Sequence, residues 1–226
     1  MSGAHGSAGA GRRTGSDVLE RIAAVRVVPV VTVVQPMSAV PLVTALAAGG
    51  LDVVEVALRT PDALDALRLA AEVDGVLVGA GTVMSAGEAV AAVEAGARFV
   101  VSPGLHAEVV HACRDMGVLA VPGVGTATEY MAARRLGLDV LKVFPAEPLG
   151  GPSFVSALAS LDPAVRFLPT GGIGRDRAAA YLALPQVVAV GGSWMATGDD
   201  VAAGDWAAVE AAAAACRSVG LDPVGR

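Results

Sequence analysis

The chain has 226 residues, a formal net charge of −6, 54% hydrophobic but only 4% aromatic residues, and 28 glycines. That length buries one sizeable aliphatic core, while the acidic balance excludes a nucleic-acid surface, which needs a basic face. No run of roughly 18 apolar residues free of charge and glycine offers a membrane span, and Cys113 and Cys216 form neither a disulfide framework nor a metal spacing, which suits a reducing cytoplasm.

Residues 1–15 are rich in glycine, alanine and serine and lack the apolar segment of a secretory signal; they are expected to be a disordered tail. Ser16 and Asp17 can cap a short helix over 18–25. The run 27–34 reads as a strand apolar on both faces, as parallel strands covered by helices are. A helix over 38–48 ends at Gly49-Gly50, and a strand follows over 51–58. Pro61 opens the next helix, to 73. The strand 76–79 leads into Ala80-Gly81-Thr82, and a helix over 85–95 stops at Gly96. The strand 98–101 leads into Ser102-Pro103-Gly104, and the helix 106–116 ends at Gly117. After the strand 118–121, Thr126 and Glu129 have the spacing of a capping box for a helix to 136. The strand that follows carries Lys142. A helix over 153–160, a strand over 165–168, a helix over 176–183, a strand over 187–190 and an alanine-rich helix over 201–219 complete the chain.

The joints repeat. Gly49-Gly50-Leu51-Asp52-Val53, Gly96-Ala97-Arg98-Phe99-Val100 and Gly137-Leu138-Asp139-Val140-Leu141 are each a glycine stop followed by a short turn into a strand. Eight such β–α units predict a single (β/α)8 TIM barrel over 16–226, in the α/β class and with an N-terminal helix, near the roughly 250 residues usual for that fold. The rival, an open doubly wound sheet, would carry a glycine-rich turn after its first strand; Val34-Gln35-Pro36-Met37 is nothing like one.

In a barrel the C-terminal ends of the strands share one mouth, and the polar residues of this chain gather there. Of the 16 basic residues 15 are arginine, and the single lysine, Lys142, lies in the apolar run Val140-Leu141-Lys142-Val143-Phe144. Period-two alternation puts Val140, Lys142 and Phe144 on one face. A lysine amine can give up its proton and attack a carbonyl, which a guanidinium cannot; the bland alternative is a lysine whose stem packs while its head reaches solvent. Glu55 shares a face with Val53 and Ala57, pointing into the barrel, as a general acid/base or as the partner of a structural ion pair with Lys142 or Arg59. Arg59 can grip a carboxylate with two parallel hydrogen bonds, or simply be a loop arginine. Thr170-Gly171-Gly172 and Gly191-Gly192-Ser193 follow the last two strands, where barrels bind phosphate on glycine amides and a helix N-terminus; turn chemistry is the plainer reading. His5, His106 and His111 are not arranged as metal ligands. That favours covalent catalysis, with an imine as electron sink.

The motifs Glu55-Val56-Ala57-Leu58-Arg59-Thr60, Gly79-Ala80-Gly81-Thr82-Val83, Ser102-Pro103-Gly104, Lys142-Val143-Phe144-Pro145-Ala146-Glu147, Pro169-Thr170-Gly171-Gly172-Ile173 and Gly191-Gly192-Ser193-Trp194 occur in one frame. Together they closely resemble the class I aldolase of 2-dehydro-3-deoxy-6-phosphogluconate (KDPG), also described as 4-hydroxy-2-oxoglutarate aldolase. The resemblance implies a lyase of the Entner–Doudoroff pathway that releases pyruvate and glyceraldehyde 3-phosphate through a Schiff base on Lys142. It implies proton transfer by Glu55, with Arg59 and Thr82 on the pyruvyl carboxylate and Pro103 and Phe144 lining the pocket. Thr170 would touch the substrate near the keto acid, and Gly171, Gly172, Gly192 and Ser193 would hold the phosphate. It further implies a cytoplasmic homotrimer acting on a small phosphorylated keto acid, without metal or organic cofactor, nucleic acid or membrane. Galactonate-specific relatives carry valine in place of Thr170 and asparagine in place of Arg59, so the chain resembles the gluconate type. Gly174 departs from the serine of many relatives, removing one phosphate hydroxyl. The alternatives are 4-hydroxy-2-oxoglutarate or 2-dehydro-3-deoxy-6-phosphogalactonate as substrate, a non-aldolase barrel enzyme acting on another phosphorylated molecule, and a catalytically silent barrel.

Overall fold

The structure, a computed structural model, describes residues 7–219, with side chains from residue 15 onward. Among these residues eight parallel strands alternate with helices: β1 (Val27–Val31), β2 (Val53–Ala57), β3 (Leu77–Gly81), β4 (Phe99–Ser102), β5 (Leu119–Val124), β6 (Val140–Val143), β7 (Arg166–Pro169) and β8 (Val190–Gly192). Neighbours pair in the order β7-β6-β5-β4-β3-β2-β1-β8. The single bridges Phe167–Val187 and Thr170–Gly191 join β7 to the β8 segment, so the sheet returns on itself as the expected (β/α)8 barrel.

The helices are α1 (Ser7–Val25), α2 (Ala39–Ala48), α3 (Ala63–Ala71), α4 (Ala86–Glu94), α5 (Ala107–Asp115), α6 (Ala127–Arg135), α7 (Gly151–Ala159), α8 (Arg175–Leu182), α9 (Gly198–Ala203) and α10 (Trp206–Cys216). Two buried layers follow from strand alternation. Val54, Val56, Leu141 and Val143 face outward into the packing with the helices. Val28, Val53, Leu77, Phe99, Val121, Val140 and Leu168 fill the interior, where Val18 and Ile22 of α1 join them from below. The first helix therefore plugs the N-terminal end of the barrel and leaves the other end for chemistry.

Strand and helix ends shift from the expected ones by up to three residues in several elements, β1 and β5 among them, and four differences bear on the layout. Helix α1 begins at Ser7, inside the stretch read as a tail, whose residues 1–6 lie outside the described part, as do 220–226. The segment before α2 is a 3-10 turn, Pro36–Ser38, rather than the start of the helix. The last strand pairs three residues later than its apolar run suggests, because β1 offers partners only for Val190, Gly191 and Gly192. The alanine-rich C-terminal helix is two helices: Gly204 stops α9 in the left-handed conformation (φ 66°), and the Asp205 carboxylate accepts the Ala208 amide at 3.0 Å to start α10. The glycine joints behave as read: Gly50, Gly96 and Gly137 have φ of 93°, 105° and 76°, each turning a helix end toward the next strand.

Candidate active site

The interior face of β2 carries Glu55 and that of β6 carries Lys142, which are only 1% and 4% exposed. Lys142 Nζ donates to Glu55 Oε1 at 3.4 Å, a buried contact between groups 87 residues apart in sequence. The other carboxylate oxygen, Oε2, is buried and bonds to no protein group among the described residues. The amine also sits 5.1 Å from the centre of the Phe144 ring, which walls the site where β6 ends.

Space for this pair is made by glycines that the sequence reading left without a role. Gly81 ends β3 opposite Ala57, and a methyl at its position would overlap Glu55 Oε1. Gly123 pairs with Lys142 across β5 and β6, and a methyl there would overlap the Pro103 carbonyl. The Ser102 hydroxyl donates to the Gly104 carbonyl at 2.7 Å and shapes the turn that brings Pro103 inward. The pattern of glycine within otherwise apolar strands was the available signal: it marks close approach of another group.

Thr82 follows β3 with φ of 61°, a left-handed conformation unusual for a β-branched residue. Its hydroxyl accepts from Arg59 Nε at 3.2 Å, so the two residues expected at the pyruvyl carboxylate stand together at the mouth. Arg59 remains exposed there, and the rest of its planar fork is turned to no acid among the described residues.

Thr170 is buried at the end of β7, and a methyl on Gly191 would overlap its hydroxyl. Gly171 and Gly172 have φ of 102° and 79°, so their turn requires glycine. Gly191 and Gly192 do not; they are small because Thr170 and the Trp194 ring lie against them. The amides of Gly172, Ile173 and Gly174 donate to no protein group among the described residues, and Gly174 is the N-cap of α8 without any side-chain cap. Ser193 is exposed directly after β8. Free amides at a helix N-terminus form a ready seat for an anion.

His106 and His111 are exposed on and beside α5, and no cluster of three His, Cys, Asp or Glu occurs among the described residues. Both cysteines are buried and unpaired, and burial pushes the Cys113 thiol up to about 11. No described helix is long and apolar enough to cross a membrane.

Known proteins resemble this chain in sequence and in fold. A 2-dehydro-3-deoxy-phosphogluconate aldolase of Treponema pallidum is 47% identical over 195 residues, covering 86% of this chain and 93% of that protein. The crystal structure of the 2-keto-3-deoxy-6-phosphogluconate aldolase of Zymomonas mobilis with 3-phosphoglycerate superposes with a TM-score of 0.84 at 40% identity, over 91% of this chain and 97% of the other. The Legionella pneumophila KDPG aldolase, with pyruvate captured as a covalent carbinolamine, superposes with a TM-score of 0.84 at 38% identity, over 88% and 97%. The family model for KDPG and KHG aldolase matches residues 18–212, from the helix that plugs the barrel to the last helix, and the chain belongs to that family.

Proposed function

We propose that this chain cleaves 2-dehydro-3-deoxy-6-phosphogluconate to pyruvate and glyceraldehyde 3-phosphate through an imine on Lys142. One observation carries the reading: the chain's only lysine is buried in the barrel with its amine 3.4 Å from the Glu55 carboxylate. Passing the ammonium proton to Glu55 gives a neutral amine, which attacks the C2 carbonyl. The nitrogen proton moves to the new oxyanion, Glu55 returns its proton to that hydroxyl, and loss of water leaves a protonated imine and a free Glu55 carboxylate. A carboxylate then takes the proton of the C4 hydroxyl. The C3–C4 bond breaks, its electron pair flows to the imine nitrogen, and C4 leaves as the aldehyde carbon of glyceraldehyde 3-phosphate. Protonation of the enamine at C3 and hydrolysis release pyruvate and restore the amine. Glu55 is the group for these transfers, because its Oε2 is committed to no protein donor among the described residues.

Arg59 and Thr82 hold the substrate carboxylate at one side of the mouth, Pro103, Phe144 and Thr170 line the pocket, and the phosphate lies on Gly171, Gly172, Gly192 and Ser193. The free amides after β7 support the last assignment. Borohydride reduction in the presence of pyruvate tests the chemistry. A pyruvyl adduct is expected on Lys142 in the native chain and none in Lys142→Arg, whose turnover falls by about four orders of magnitude or more. An adduct elsewhere, or native-like turnover of the arginine variant, overturns the reading.

The resemblance also supports a cytoplasmic homotrimer. Val34, Met37 and Met84, left exposed on the loops after β1 and β3, are apolar surface available for such contact. Light scattering should return about three times the 22.4 kDa of the chain; a monomer mass overturns the assembly without touching the chemistry.

A further inference from the structure

Glu147 stands beside the proposed phosphate seat, where a second negative charge looks misplaced. Its carboxylate is nevertheless engaged through one oxygen. Oε1 accepts the Tyr181 hydroxyl at 2.7 Å and faces Arg177 Nε at 3.5 Å, both residues belonging to α8. Tyr181 is completely buried, and its hydroxyl pKa is raised, first by desolvation and then by the bond to Glu147, so it stays a donor. The stem of Glu147 covers the glycine loop: a methyl at Gly172 would lie 2.9 Å from its Cβ and 3.3 Å from its Cγ. Its backbone amide donates to the Gly171 carbonyl at 3.0 Å, next to the bond from Ala146 to the Thr170 carbonyl at 2.9 Å.

We propose that Glu147 is a positioning residue for the phosphate end of the site, a clamp that fixes the 171–174 loop and the start of α8 to the segment following β6. The inference rests on the phosphate reading above. One residue grips the loop from three directions: by its amide at Gly171, by its methylenes over Gly172 and by its carboxylate on the helix that the loop enters. Arg177 and Tyr181, both on α8, engage its charge, which lessens its repulsion of an anion held on the free amides of Gly172, Ile173 and Gly174. The same segment begins two residues beyond Lys142, at Phe144, so the clamp also sets the phosphate seat at a fixed distance from the amine.

The test compares KDPG with unphosphorylated 4-hydroxy-2-oxoglutarate, and uses inorganic phosphate as inhibitor of the latter. Glu147→Ala should raise KM for KDPG and the inhibition constant of phosphate by about tenfold or more, with kcat on 4-hydroxy-2-oxoglutarate within roughly twofold of native. Glu147→Gln still accepts the Tyr181 hydroxyl and should recover most of the loss; Tyr181→Phe should reproduce part of it. Equal damage to both substrates, or an unchanged KM for KDPG in Glu147→Ala with Glu147→Gln and Tyr181→Phe also silent, overturns the clamp. A native enzyme indifferent both to phosphate and to Ser193→Ala overturns the phosphate reading itself, and the clamp with it. A native enzyme that responds to both while the Glu147 variants are silent overturns the clamp alone.

Discussion

Burying a carboxylate and an ammonium together costs several kcal/mol of hydration per ion, which their attraction repays only when further hydrogen bonds complete the geometry. The Glu55–Lys142 pair is not completed in that way: the contact is long, at 3.4 Å, and Oε2 has no protein donor among the described residues. A pair built only to fasten the barrel would be closer and better satisfied, so the geometry favours use over support. The two roles separate in Glu55→Gln. The amine remains but loses its neighbouring proton acceptor, so borohydride still traps pyruvate on Lys142, only more slowly, while kcat for cleavage falls by about 10²–10⁴, the share of a general base. Complete loss of trapping would mean that no other base can free the amine, and native-like cleavage would remove Glu55 from the mechanism. Gly81 governs the same carboxylate from the next strand. Because β3 is pinned between β2 and β4, the methyl of Gly81→Ala must displace the Glu55 side chain rather than the backbone. We expect kcat to fall about 100-fold, with a loss of stability of about 1–3 kcal/mol read from the urea midpoint. A fully active variant would show that the carboxylate needs no fixed place.

At the scale of elements, strand alternation made the proposed catalytic pair legible: Val53, Glu55 and Ala57 on one face and Val140 and Lys142 on another follow from period two alone, and the two buried layers place Val53 and Val140 inside and Val54, Val56, Leu141 and Val143 outside. What alternation could not reveal was why Gly81 and Gly123 stand where they do, since the groups that need the space, Glu55 and Pro103, come from other strands. The glycines that follow β7 and those that end β8 read alike in sequence but act differently, the first two by backbone conformation and the second two by close packing. The break in the C-terminal helix was written in Gly204-Asp205, a stop followed by a start, but was masked by the surrounding alanines. Helix initiation at Asp205 is separable from function. Asp205→Ala should cost about 1 kcal/mol through loss of the cap, with kcat and KM unchanged, because α10 packs on α2 at the outside of the barrel. A change in KM would mean that the outer helix reaches the mouth.

Over the described residues, the plugging helix and the proposed chemistry occupy opposite ends of the barrel. Val18 and Ile22 of α1 close the lower end by joining Val28, Val53, Leu77 and Phe99, while Glu55, Lys142, Thr82 and Thr170 lie toward the upper end on the strands or just beyond them. The low aromatic content matters here: with Phe99 as the large interior ring, the barrel needs a helix to fill what its own small side chains leave open. Phe99 itself fits only because Gly79 has no side chain beneath the ring. Truncating the plug therefore tests the division. Ile22 is fully buried, and Ile22→Ala removes methylenes from a closely packed interior, at a cost of about 2–5 kcal/mol. Well below the melting transition, kcat/KM should stay within roughly twofold of native, because Ile22 packs in the interior apolar layer with Val28 and Val53 and the strands there are held on both sides. Thermal unfolding followed by circular dichroism gives the first quantity and a coupled lactate dehydrogenase assay the second. A variant that melts early yet cleaves normally places the plug in the service of the fold. A variant that loses activity while still folded would mean that the upper end is tuned through the barrel interior, by strand shifts passed from Val28 and Val53 to Glu55.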